Sequence, residues 1–552
     1  MIDLLIRGAT LLDGTGAPPR RADVAVDAGH VVGVGDWTAR GFAGAGVRRV
    51  VEAAGLDVAP GLIDMHSHAD FTLPAYPDAI NSLSQGVTTE VVGNCGYSPA
   101  PLASDPALAE KQRAACRALG PDLDWSWRSF GEYLERLDAA RPAVNCVTLV
   151  GHGAARLATI GSDDRAASEA ELAAMAGLVA DALRAGAWGM STGLVYPPGS
   201  FASTEEIVAV GEPLRATGAL YASHIRNEAD RLVDAVDEAI AIGRRLGVPV
   251  EVSHLKSAGV ANHGRVGEAV ERIEAARSAG LRVTADAYPY TAGSTLLTQL
   301  LPPWVQEGGV GEMVERLRSA EVRSRIAAEV QSGLPGWTNY VHAAGGWDGI
   351  RIAATVEPSL KHLEGRTMAD LATRSGRPPL SLVLDTLVAD RCATTMIVAL
   401  MAEEDVETVF GSPWTAVGSD QLGVTSPEAT VHPRCYGTFA RVLGPFVRER
   451  GMLELGEAVR RATGLPASIL GLTDRGRIAA GMVADLVLFD PTTISDEATY
   501  DAPTRQASGI ETVLIGGRFA VDGGRVVDPG LGRVLRRRNS VNAAGRGDRD
   551  DR

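Results

Sequence analysis

Lysine is almost missing from this sequence. Three lysines occur in 552 residues, at 111, 256 and 361, so nearly all of the 53 positive charges are arginine. Positive charge is itself outweighed by 68 acidic residues, leaving a net charge of −15. Nucleic acids and anionic membranes select basic patches, so neither is expected as a partner. Cysteine is scarce too. The five, at 95, 116, 146, 392 and 435, are odd in number, scattered and free of any CxxC pair, which excludes a disulfide framework and fits a reducing, cytoplasmic setting. No run approaches the roughly 18 uninterrupted apolar residues of a membrane span. Asp3 and Arg7 interrupt the opening MIDLLIRGATLLDG, which does not read as a signal peptide. What is there is ordinary for a globular protein: 45% hydrophobic and 22% charged residues.

The texture along the chain changes near residue 60. Before it lie short β-rich runs at 4–9, 23–26, 30–34 and 48–53, separated by Gly and Pro turns. After it, eight short apolar runs follow one another: 61–68, 88–95, 144–151, 188–194, 220–225, 250–255, 282–290 and 416–420. Between several of them, 169–185, 229–246 and 266–279 carry apolar residues at helical spacing. Eight near-continuous apolar strands with helical crossovers describe a parallel (β/α)8 barrel. We expect it to span 61–475. The interval 300–410 is too long for one crossover, so an insertion at about 300–370, after strand seven, is expected to wall or cover a pocket. Strand-like runs return after 476, and 1–60 plus 476–535 should form one small β domain from both chain ends. Residues 536–552 lack apolar periodicity and are expected to be disordered.

The chemistry gathers at strand ends. In GLIDMHSH the side-chain period of a strand aims His66 and His68 the same way. A lone His-x-His is more often satisfied by water or backbone than by a metal, but here it ends a buried strand. Cys95 ends the second run, His224 the fifth, His254 the sixth and Asp420 the eighth. Barrel enzymes place catalytic groups at these C-terminal ends, and imidazole and thiolate are good zinc ligands.

The sequence resembles the amidohydrolase superfamily and, within it, the N-acyl-D-amino-acid deacylases (D-aminoacylases). The resemblance covers about 90% of the chain. It rests on GNCGYSP (93–99), STGLVYPPG (191–199), SHIRNE (223–228), SHLK (253–256), DAYPYTAGST (286–295), GSD (418–420) and HPRCYGTFARVLG (432–444). Many superfamily members bridge two metals with a carboxylated lysine on the fourth strand. The fourth run here, WGMSTGL, has none, which disfavours hydantoinase- and dihydroorotase-type sites.

The resemblance implies one tight Zn2+ held by Cys95, His224 and His254, with a second, weaker site at His66 and His68. It makes Asp420 the general base and then the general acid. It gives Lys256, Tyr288 and Arg434 the substrate α-carboxylate, with Tyr196 and Ser294 lining the pocket. The implied reaction is hydrolysis of a small N-acyl-D-amino acid to a carboxylate and a free D-amino acid; the D preference comes from the family, not from any residue here. The alternatives are an amidase of the same fold acting on D-dipeptides or cyclic amides and, more remotely, a barrel that has lost its metal. The side-chain preference, acyl preference and oligomeric state are not legible in the sequence.

Overall fold

The computed structural model describes residues 2–37, 46–424, 426 and 429–537. Most of the expected disordered tail, 538–552, lies outside the described residues.

All eight apolar runs become barrel strands: β1 (Leu62–Asp64), β2 (Val87–Val92), β3 (Asn145–Gly151), β4 (Gly189–Gly193), β5 (Leu220–His224), β6 (Val250–Val252), β7 (Val283–Ala287) and β8 (Thr415–Val417). Each pairs in parallel with the next in the chain. Between β8 and β1 the ring closes through Met65 N to Val417 O (3.1 Å), Asp420 N to His66 O (2.7 Å) and a parallel bridge of Ser67 with Gln421. Ile63, Val91, Val147, Leu149, Leu220 and Ala416 fill part of the interior, so the ring is a packed core and only its rim is free for chemistry.

The crossover helices carry their own start and stop signals. In Glu169–Ala185, the Ser168 side chain accepts from Glu171 N while the Glu171 carboxylate reaches back to the Ser168 amide, and Gly186 ends the helix in a left-handed conformation. Met175, Val179, Ala182 and Leu183 form its buried face, the spacing of one helical stripe.

Strands from both chain ends share a single sheet, the C-terminal ones forming one half and the N-terminal ones the other. Leu486–Phe489 lies antiparallel to Asp57–Pro60, which joins Ile2–Leu11. The two ends are therefore held together by main-chain hydrogen bonds. The last described strand, Val534–Leu535, departs from the expected β domain and pairs with β3 of the barrel.

The insertion after β7 is wider than the 300–370 expected. It is built on a three-stranded antiparallel sheet in which Thr395–Ala399 lies between Ala292–Leu296 and Ile350–Ile352. The first of these, AGSTL, lacks apolar alternation and the last is three residues long, so neither announces a strand. Among the described residues no helix is long and apolar enough to cross a membrane.

Candidate metal centre and substrate chamber

Three residues at the barrel rim, Cys95 (φ 53°), His254 (φ 36°) and Asp420 (φ 51°), occupy the left-handed region that non-glycine residues avoid. Each stands just past a strand, where this backbone turn ends the strand. Neighbouring backbone makes the Cys95 turn tight: a Cβ on Gly193 would lie 2.0 Å from the Cys95 carbonyl oxygen, and one on Gly96 would lie 2.7 Å from the Gly193 nitrogen. Strain held by surrounding structure is characteristic of functional positions.

The side chains at these strand ends converge. Cys95 Sγ lies 3.4 Å from His254 Nε2 and 3.4 Å from His66 Nε2. Ligand atoms of Cys95, His224 and His254 all fall within 4.8 Å of one another, and so do those of His66, His68 and Cys95 and those of His66, His254 and Asp420. A tetrahedral zinc site with Zn–S of about 2.3 Å and Zn–N of about 2.0 Å has an S···N edge of about 3.5 Å. Both ring nitrogens of His224 are buried without a hydrogen-bond partner, and burial lowers its pKa, which favours the neutral, ligating imidazole. Burial alone would push the Cys95 thiol up, yet His66 and His254 hold it well below its usual value, and the thiolate is the form that binds metal. The donor set therefore fits a divalent metal.

Asp420 sits against this cluster. Its Oδ1 is 3.5 Å from His66 Nε2 and 3.4 Å from His68 Nε2, and its Oδ2 is 2.9 Å from Arg434 Nη1. Burial would raise its pKa, but Arg434 and His254 hold the carboxyl well below the usual range, so it stands ionised and able to accept a proton. Arg434 Nη2 donates to the Ser294 carbonyl at 3.3 Å, while its Nε has no partner. The Tyr288 ring lies near both cations, 4.7 Å from the Arg434 guanidinium and 5.7 Å from Lys256 Nζ. Tyr196 packs edge-on to His224, with centroids 4.8 Å apart, and its hydroxyl is 2.9 Å from Thr295 Oγ1.

His68, Cys95, His224, His254, Asp420, Tyr196 and Tyr288 line a chamber of about 50 Å³. Leu296, Val398 and Leu400, in or beside the three-stranded sheet that follows β7, form one wall. A wider cavity of about 940 Å³ shares Leu119, Ser294 and Leu422 with it and reaches Arg434.

The amidohydrolase family model matches residues 49–521. The chain belongs to the amidohydrolase family. Within it, the chain falls among the N-acyl-D-amino-acid deacylases. It is 39% identical to an N-acyl-D-aspartate deacylase of Alcaligenes xylosoxydans xylosoxydans, over 97% of this chain and 95% of that one. A solved D-aminoacylase with a binuclear metal centre, activated by one metal and attenuated by the second, superposes with a TM-score of 0.81 at 37% identity, covering 97% and 100% of the two chains. The N-acyl-D-glutamate deacylase of Bordetella bronchiseptica, solved with zinc and a phosphonate mimic of the tetrahedral intermediate, gives 0.81 at 35% identity, covering 97% and 99%.

Two carboxylates of this amidohydrolase were not singled out in the sequence, although both stand inside motifs quoted there. Glu228 Oε1 lies 3.0 Å from His254 Nδ1 and 2.6 Å from Lys256 Nζ. The Lys256 ammonium is also 2.7 Å from His254 Nδ1. Lys256 thus shares its charge with Glu228; burial would lower its pKa, but Glu228 raises it. Asp286 Oδ1 lies 3.2 Å from His66 Nδ1 and accepts from the His254 backbone amide at 2.9 Å. Such partners fix the orientation of ligating histidines. Their places inside SHIRNE and DAYPYTAGST were the available signal. Asp286→Ala is expected to weaken metal affinity about 10–100-fold, read by competition with a chromophoric chelator; unchanged affinity would remove Asp286 from that role.

Proposed function

We infer that the protein is a metal-dependent hydrolase of N-acyl-D-amino acids, releasing a carboxylate and a free D-amino acid. The observation that carries the reading is the joining of Cys95, His224 and His254 to an ionised Asp420 at the barrel rim, in a chain that matches deacylases over nearly its whole length. The metal we assign is zinc, held most tightly by Cys95, His224 and His254, with His66 and His68 as the weaker second site. What zinc supplies when bound is Lewis acidity, which polarises the scissile carbonyl and acidifies the attacking water.

The remaining work falls to the chain. Asp420 takes the proton from the attacking water and returns it to the leaving nitrogen, serving as general base and then general acid. Arg434, with Nε still open, and the Lys256 ammonium grip the substrate α-carboxylate beside the Tyr288 ring. Two fixed cations on one carboxylate set the direction of the adjacent amide, which converts binding into orientation. Tyr196 and Ser294 border the bound substrate.

The test is hydrolysis of a panel of N-acetyl-D-amino acids by zinc-loaded protein, set against their L forms; failure on every member would overturn the reading. Arg434→Met is expected to lose about ten- to hundredfold in kcat/KM on these substrates, the worth of a charge-assisted hydrogen bond. It should lose far less on the matching amino-acid amide, which has no carboxylate. Equal losses would mean that Arg434 serves Asp420 rather than the substrate.

A further inference from the structure

The relatives divide by the side chain of the amino acid they release, and the chamber separates these choices for this chain. Much of its remaining lining is apolar: Leu119, Leu296, Val398, Leu400 and Leu422, with the ring of Tyr340. Among the described lining residues Lys256 is the sole lysine or arginine, and Arg434 stands at the rim. Both are already engaged by acids, Lys256 with Glu228 at 2.6 Å and Arg434 with Asp420 at 2.9 Å. Both are also the cations available to the α-carboxylate.

A D-aspartate or D-glutamate substrate brings a second carboxylate. The Cα is directly bonded to both the α-carboxylate and the scissile nitrogen, so a side-chain carboxylate one or two methylenes away stays inside the chamber. There it would meet leucine and valine side chains and the carboxylates of Glu228 and Asp420, with no cation of its own. A buried charge without a partner is strongly disfavoured, whereas an aliphatic side chain is favoured by the same wall.

Resting on the deacylase reading above, we propose that this enzyme selects N-acyl-D-amino acids with uncharged, apolar side chains and rejects N-acyl-D-aspartate and N-acyl-D-glutamate. The zinc-loaded protein is assayed with N-acetyl-D-leucine, N-acetyl-D-aspartate and N-acetyl-D-glutamate. N-Acetyl-D-leucine should lead in kcat/KM by about 10²–10³-fold, the range that an unpaired buried charge corresponds to. Equal or faster turnover of an acidic substrate would place its side chain among cations of the wider cavity, such as Arg117 and Arg391, and overturn the proposal while leaving the deacylase reading intact. Affinity is read separately, without turnover, by calorimetry with phosphonate analogues bearing the leucine or the aspartate side chain. The leucine analogue should bind about 10²-fold tighter; equal or tighter binding of the aspartate analogue would overturn the proposal even if no substrate were hydrolysed. Leu296→Arg, at a half-buried wall position, should shift the ratio toward N-acetyl-D-aspartate by about tenfold or more, and an unchanged ratio in a variant of normal melting temperature would count against this wall.

Discussion

Cys95→Ala protein is expected to emerge from purification without its tight metal and with kcat/KM lowered by about 10³-fold or more. The thiolate stands between His254 and His66 at 3.4 Å from each and belongs to two of the three clusters able to hold a metal among the described residues. Its removal leaves the tight site two imidazoles. The Lewis acidity lost with the metal is worth several kcal/mol at the transition state, and each 1.36 kcal/mol is about tenfold in rate. Metal content by atomic emission, beside turnover, checks this. A Cys95→Ala enzyme with full metal and normal turnover would dismantle the assigned ligand set.

For Asp420→Asn the expected outcome is different in kind. The substitution keeps the shape of the side chain and leaves Cys95, His224 and His254 untouched, so the tight metal should remain. An amide cannot carry the proton from water to the leaving nitrogen, and such relays contribute about 10²–10⁴-fold. Turnover should fall by that factor at unchanged metal content. Near-normal kcat would assign the base elsewhere. Loss of the metal along with activity would make Asp420 a ligand, a reading that its place with His66 and His254 in the third cluster allows.

The barrel was legible because a parallel strand covered on both faces must be apolar throughout, and all eight such runs became strands. The candidate site was legible because four histidines, one cysteine and one aspartate ended those runs. The insertion's sheet was not legible, because Ala292–Leu296 is small and polar and is held in register by Thr395–Ala399, about a hundred residues away in the chain. Pairing at that distance leaves no local period to read. Glu228 and Asp286 escaped for a related reason: their roles rest on contacts with His254, Lys256 and His66 that the folded barrel makes and the linear sequence does not. Lys256 stood out by its rarity and by the SHLK motif, and its pairing with Glu228 could not be seen from composition.

The central claim is that one tightly held metal and Asp420 together cleave an N-acyl-D-amino acid. The most direct measurement is product release from a panel of N-acetyl-D- and N-acetyl-L-amino acids, acidic and apolar side chains included. It should be followed by chromatography on protein stripped of metal and on the same protein restored with one equivalent of zinc. The account predicts acetate and free D-amino acid in equal amounts from the restored protein, little from the L forms and almost none from the stripped protein. Equal hydrolysis by stripped and restored protein, or no release from any D substrate, would contradict it.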